Sequence, residues 1–114
     1  MSRPVLPGQT EVYEFDLIQS GTLMYHTGFH VMKQEALSFS GAFVIHPRRQ
    51  ERNIDEDFAL VLQLYAFQPG NPNPNINSVV PSFATFNEKT APSLPQLVVH
   101  QGDRLRIRFA NLSL

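Results

Sequence analysis

Gly21-Thr22-Leu23-Met24-Tyr25-His26-Thr27-Gly28-Phe29-His30 is a β-forming run that ends in an imidazole and breaks into a turn. Ser20-Gly21 turns the chain into it, and threonine, leucine and tyrosine suit a pleated, half-buried strand over residues 22–26. His26 and His30 are four positions apart, which on a helix would put both imidazoles on one face and make a metal pair. Gly28 between them, and the strand character of the residues before it, argue against that helix. His26 reads as a strand-end histidine, and His30 as a loop residue beside it.

Working outward, residues 10–18 alternate, with Tyr13, Phe15 and Leu17 on one face and Glu14 and Asp16 on the other. A period of two predicts a half-buried strand. Residues 31–37 lose that alternation and place Met32, Glu35 and Ala36 at helical spacing, predicting about two helical turns or an ordered loop. Gly41-Ala-Phe-Val-Ile-His46 is a short apolar strand stopped by Pro47, which has no N–H to give a ladder.

The mixed-charge link Arg48-Arg-Gln-Glu-Arg-Asn53 is the natural boundary. Residues 58–67 beyond it are apolar on both parities, predicting a strand buried on both faces. Gln68-Pro-Gly-Asn-Pro-Asn-Pro-Asn75 contains three prolines and predicts an exposed loop. A short strand follows over residues 82–86, closed at Asn87. Residues 96–100 and 104–111 flank Gln101-Gly102-Asp103 and read as a hairpin. In the last strand Leu105, Ile107 and Phe109 alternate with Arg104, Arg106 and Arg108. The apolar set is expected inward, and the arginines on a solvated face opposite Glu14 and Asp16. Seven or eight such strands with Pro, Gly and Asn turns predict an all-β, antiparallel Greek-key β-sandwich.

The 114 residues suit one domain, burying roughly two-thirds of the unfolded surface. A hydrophobic fraction of 42%, with 9 Phe and 3 Tyr, can fill one core. A net charge of −1 gives no electrostatic reason for a nucleic-acid partner, and the three arginines lack the same-face aromatics such binding wants. No apolar run reaches the length of about 20 residues that spans a bilayer, and the start has no signal-peptide pattern. Those two features give no membrane and a cytoplasmic default. The absence of cysteine excludes disulfides, iron–sulfur centres and a blue-copper thiolate site, leaving His and carboxylate as metal donors. No nucleophile elbow and no phosphate-cradling Gly-rich loop is present.

Gly21-Thr-x-x-Tyr25-His26 resembles the second copper-ligand motif of multicopper oxidases of the laccase and copper-resistance type. The likeness extends to Pro7-Gly-Gln-Thr, Tyr13-Glu-Phe-Asp-Leu17, Met32-x-Gln34-x-Ala-Leu37 and Gly41-Ala-Phe-Val-Ile-His-Pro47. It continues in Asp57-Phe-Ala-Leu-Val-Leu and in Leu97-Val-Val-His-Gln-Gly-Asp-Arg-Leu-Arg-Ile-Arg-Phe-Ala-Asn111. It implies a cupredoxin-like unit made of two half-domains. Residues 7–47 would be the C-terminal half of one cupredoxin domain, 48–56 the connector, and 57–114 the N-terminal half of the next. Family members carry histidine pairs before the position of Pro7 and again just past that of Asn111, and the second histidine of the present motif is Gly28 here. The family is often exported, against the cytoplasmic default.

What the resemblance implies for function is therefore limited. His26 would be a surviving type-3-like copper ligand, with His30 the second metal candidate and copper the implied cofactor. No residue is assigned to catalysis or to another cofactor. With most ligands absent, the expected function is a non-catalytic structural or interaction module related to these oxidases. Two rivals are a weak copper- or zinc-binding protein working through His26, and an oxidase subunit completed by another chain. His30 with Glu35 is a further candidate loop pair, while His46 and His100 read as surface histidines. Half-domains leave strand edges and apolar faces uncovered. The expectation is either one permuted sandwich or a swapped homodimer, its small-molecule substrate unidentified.

Overall fold

The computed structural model of the chain describes residues 4–49, 53–77 and 80–113, so Gln50, Glu51 and Arg52 of the connector lie outside it. Among the described residues the fold is all-β in two sheets, with one short helix. Its elements are β1 (Gly21–His26), α1 (Val31–Glu35), β2 (Ser40–Ile45), β3 (Glu56–Tyr65), β4 (Phe83–Phe86) and β5 (Leu105–Asn111). The opening run is β1, and the helical spacing after it is α1.

β1 and β2 form an antiparallel pair in register from Gly21 opposite Ile45 to His26 opposite Ser40. The α1 connection closes on the pair through Thr27 N–H, which donates to the Phe39 carbonyl at 3.2 Å. Gly41 gives the Tyr25 ring room inside this pair: the ring lies across it, and a β-carbon there would push the exposed ring aside.

The second sheet has the order β4-β3-β5. β4 runs antiparallel to β3, with Leu62 opposite Phe86 and Tyr65 opposite Phe83. β5 runs parallel to β3, with Phe58 opposite Ile107 and Leu60 opposite Phe109. This corrects the expected all-antiparallel sheet and the expected hairpin. Gln101-Gly102-Asp103 is instead a local turn: Asp103 N–H donates to the His100 carbonyl at 3.1 Å, and His100 N–H donates to Asp103 Oδ2 at 2.6 Å. Residues 96–100 form no strand, so the turn delivers β5 to the far side of β3 rather than folding it back on its own flank.

Residues 10–18 also form no strand. Their alternation is present but no neighbouring edge takes it up, and Tyr13 and Phe15 stay largely exposed. Phe15 touches the β1–β2 pair edge-on, its ring 6.4 Å from that of Phe43. The Asn/Pro loop is largely exposed as predicted, turns where Asn71 N–H donates to the Gln68 carbonyl, and returns to β3's end where Asn75 N–H donates to the Ala66 carbonyl.

The faces of the larger sheet are opposite to those expected. Cross-strand partners share a face, so Phe58, Leu60, Leu62 and Leu64 of β3 lie with Leu105, Ile107 and Phe109 of β5. That apolar face is open, with Ile107 44% and Phe109 66% exposed. The other face carries Asp57, Gln63, Thr85, Arg106 and Arg108, and it is the one turned toward β1. Gln63 and Thr85 are each only 5% exposed, while buried apolar residues are confined to Ile45 and Leu112 among the described residues. Ser40 Oγ and Thr85 Oγ1 are buried without a protein partner, each a cost of about 1–3 kcal/mol. A compact domain of this length has a radius of gyration near 13 Å, whereas the Cα value here is 17.4 Å. β3 is therefore not buried on both faces, and the chain covers little of its apolar surface.

β4 is prolonged by a side chain. Beyond Phe86, Asn87 N–H donates to the Val61 carbonyl at 2.9 Å. Its side-chain Oδ1 accepts from Val61 N–H at 2.8 Å, and its Nδ2 donates to the Ala59 carbonyl at 3.0 Å. The amide thus substitutes for one more residue of ladder. Asn87 has φ 49°, a left-handed conformation that asparagine and glycine tolerate best. Urea unfolding should show Asn87→Gly losing about 1 kcal/mol from the two side-chain bonds, and Asn87→Ala rather more, because alanine adds backbone strain. Equal losses in the two variants would show that strain contributes nothing.

Candidate functional site

β1 delivers His26 to the strand's end, and α1 returns Glu35 beside it. His26 Nδ1 is 2.9 Å from Glu35 Oε1 and 2.9 Å from the Thr27 carbonyl oxygen. A ring protonated at Nδ1 donates to both, which fixes its plane and leaves Nε2 as the free nitrogen. The imidazole is 44% exposed and the Glu35 side chain 16%. Glu35 was legible only as a helical position and as a candidate partner of His30.

His30 goes elsewhere. It is the N-cap residue of α1 in a left-handed conformation, φ 46° and ψ 47°, and makes no side-chain cap bond. Its ring packs edge-on against Phe29 at 4.3 Å. The turn between His26 and His30 is held by Thr27, whose Oγ1 donates to the Phe29 carbonyl at 3.0 Å and bonds Gln34 Oε1. Glu35 engages His26, not His30. His100 is exposed, its Nδ1 3.5 Å from Asp103 Oδ2. His46 is exposed beyond the end of β2.

Among the described residues no group of three or more His, Cys, Asp or Glu side chains could hold a metal ion. A copper centre of the kind the motif implies needs several imidazoles converging, and the donor set here is one imidazole with one carboxylate already hydrogen-bonded to it. The residues present do not fit that centre.

The strongest electrostatic feature was not predicted as a site. Arg108 of β5 grips Asp57 of β3 with two parallel bonds, Nε to Oδ1 and Nη2 to Oδ2, both 2.7 Å. Its remaining Nη1 donates to Thr22 Oγ1 of β1 at 2.9 Å, joining the two sheets. Arg106 Nη1 lies 3.6 Å from Asp57 Oδ2. The Arg108 side chain is only 9% exposed, and Asp57 is 26% exposed. The hydrogen bonds from Arg108 hold the Asp57 carboxyl below its ordinary pKa against the opposing effect of burial, and the same contact raises Arg108. Arg106 and Arg108 of the arginine stripe are paired with Asp57, which corrects their expected pairing with Glu14 and Asp16. A second link joins Ser38 Oγ, in the turn between α1 and β2, to the Tyr65 hydroxyl of β3. Tyr65 in turn donates to Gln63 Oε1 at 3.2 Å and stacks on Phe83 at 4.8 Å.

With the geometry in place, comparison with known proteins bears on one part of the chain. Residues 1–50 match the protein family described as multicopper oxidase. No curated protein and no solved structure matches the chain. The first 50 residues are therefore similar to multicopper oxidases, and the matched span includes His26, Gly28, His30 and Glu35. No helix among the described residues is long and apolar enough to cross a membrane.

Proposed function

We propose that this chain is a non-catalytic interaction module related to the multicopper oxidases, in which strands of a cupredoxin-like Greek-key sandwich serve as a binding scaffold. One observation carries the proposal: the larger sheet keeps its polar face toward β1, where Arg108 bonds Thr22, and offers its apolar face outward. A surface of that kind suits association rather than chemistry. The half-domain boundaries at residues 7–47 and 57–114 are part of the same proposal.

A second reading rests on His26. An imidazole whose Nδ1–H is held by a carboxylate presents Nε2 in the orientation that metal-ligating histidines use. Weak copper or zinc binding would then use His26 with a histidine from another chain. Metal analysis after copper loading separates the two readings. The interaction module predicts the same negligible copper in the parent and in His26→Ala. Stoichiometric copper in the parent, lost in His26→Ala, would defeat it in favour of the metal reading. The parent alone should not oxidise a phenol under either reading. Oxidation that appears only when a second fragment supplies further histidines would instead establish an oxidase subunit.

A further inference from the structure

We propose that the polar cleft between β2 and β3 is a binding site for a small, neutral, polyhydroxylated ligand, a single sugar ring by size and chemistry. The inference goes beyond the interaction-module reading and does not depend on it, because the cleft uses the polar face of the larger sheet and not the open apolar one.

Three observations carry it. First, the cavity is bounded by both sheets and by the turn after β4, and its volume of about 320 Å³ is at the small end for organic ligands. Second, its wall holds polar groups that the fold leaves unused. Ser40 Oγ is enclosed and has no protein partner. Gln63 is only 5% exposed; its Oε1 accepts from the Tyr65 hydroxyl at 3.2 Å, and its Nε2 has no partner among the described residues. A buried hydroxyl and a buried amide N–H left unbonded cost stability, which a ligand oxygen restores.

Third, a carboxylate is held at the rim against backbone preference. Asn87 and Glu88 have φ 49° and 64°, and Phe86 and Lys89 exchange backbone bonds of 2.8 and 3.0 Å across them. This is the tight primed turn whose second residue is ordinarily glycine, so a glutamate there is strained. Strain retained at a cavity edge points to a use for the side chain. Asn87 itself is engaged with the β3 backbone and forms wall only. A hydroxyl group donates to Glu88 or Ser40 and accepts from Gln63, and neighbouring hydroxyls on one ring can meet all three. Beside them the exposed Tyr25 ring offers a flat apolar surface for the C–H face of a sugar. An anion would meet the Glu88 carboxylate and no cation in the wall. An ammonium would gain only a screened pair at an exposed rim and leave Gln63 Nε2 unbonded.

The test titrates the intact chain with glucose, galactose, xylose and myo-inositol, and with ethylammonium as the cationic comparison. In amide NMR spectra at least one neutral probe should shift the Gln63 side-chain amide, with a Kd on the order of 1 mM. Ser40→Ala should raise that Kd about fivefold and leave the urea midpoint unchanged or higher, because Oγ has no partner in the free chain. Glu88→Gly should weaken binding similarly, again with no loss of stability, because glycine relaxes the turn. If no neutral probe moves the Gln63 amide, the proposal is overturned and the cleft holds water only. Ethylammonium binding alone, abolished by Glu88→Gly, overturns it in favour of a cation site. Variants that bind as the parent does, whether or not they lose stability, also overturn it, since these side chains would then serve the fold alone.

Discussion

Arg108→Ala is expected to lower the stability of the chain by about 3 kcal/mol, the largest loss from any single side chain outside the small apolar core. The guanidinium contributes two bonds to Asp57 and one to Thr22 from an almost enclosed position. Removing it leaves a partly buried carboxylate with only the longer contact to Arg106, at 3.6 Å. Arg108→Lys should recover less than half of the loss, because an ammonium cannot make the parallel pair and reach Thr22 as well.

The pH dependence gives an independent check. Asp57 has a lowered pKa when folded, so between that value and the ordinary one near 4 the unfolded chain binds the extra proton. Stability therefore rises with pH across that window. The contribution of Asp57 is fully present above about pH 4 and is lost as pH falls through the lowered value. Arg108→Ala should remove this part of the acid limb, as should Asp57→Asn. An acid limb unchanged in both variants would show that the pair is not coupled to folding.

Leu112→Ala is expected to cost about 2–4 kcal/mol, and Phe109→Ala under 1 kcal/mol. Side-chain size alone would rank them the other way. Leu112 is one of two buried apolar residues among those described, and its N–H donates to the Leu62 carbonyl at 2.9 Å. Phe109 is the larger side chain, but most of it stays in water. Truncating it removes little packing. Urea unfolding should therefore show a large Leu112→Ala deficit and a small Phe109→Ala one, and equal deficits would show that exposure does not decide the cost.

That reversal shows what the sequence could reveal. Local signals located β1, α1, β2, β3 and β4, because Gly21, Pro47 and Asn87 mark ends within a few residues of the strands they bound. Alternation in β5 established that arginines and apolar residues lie on opposite faces. It could not say which face turns inward, since a period of two is symmetric. The direction was set by Thr22, 86 positions from Arg108 and on the other sheet. Residues 10–18 fail for a related reason: a strand pattern becomes a strand only where a partner edge is free to pair with it.

At the candidate site His26 stood out as a strand-end imidazole, and Gly28 already limited what it could share. The contact with Glu35 was hidden because it depends on how tightly α1 turns back. Thr27 and Gln34 set that turn, and neither carries a recognisable motif.

The parallel pairing of β3 with β5 also governs how quickly the chain can fold. Glu56 meets Leu105 across nearly fifty intervening residues, including the Asn/Pro loop and β4. Closing so long an excursion forfeits chain entropy before any contact rewards it. The β1–β2 pair, separated only by α1, can close early and wait. Stopped-flow measurements should find a slow main phase, and mutations in β5 should slow it more than mutations in β1. The rate-limiting event is the search by which a distant strand finds its place.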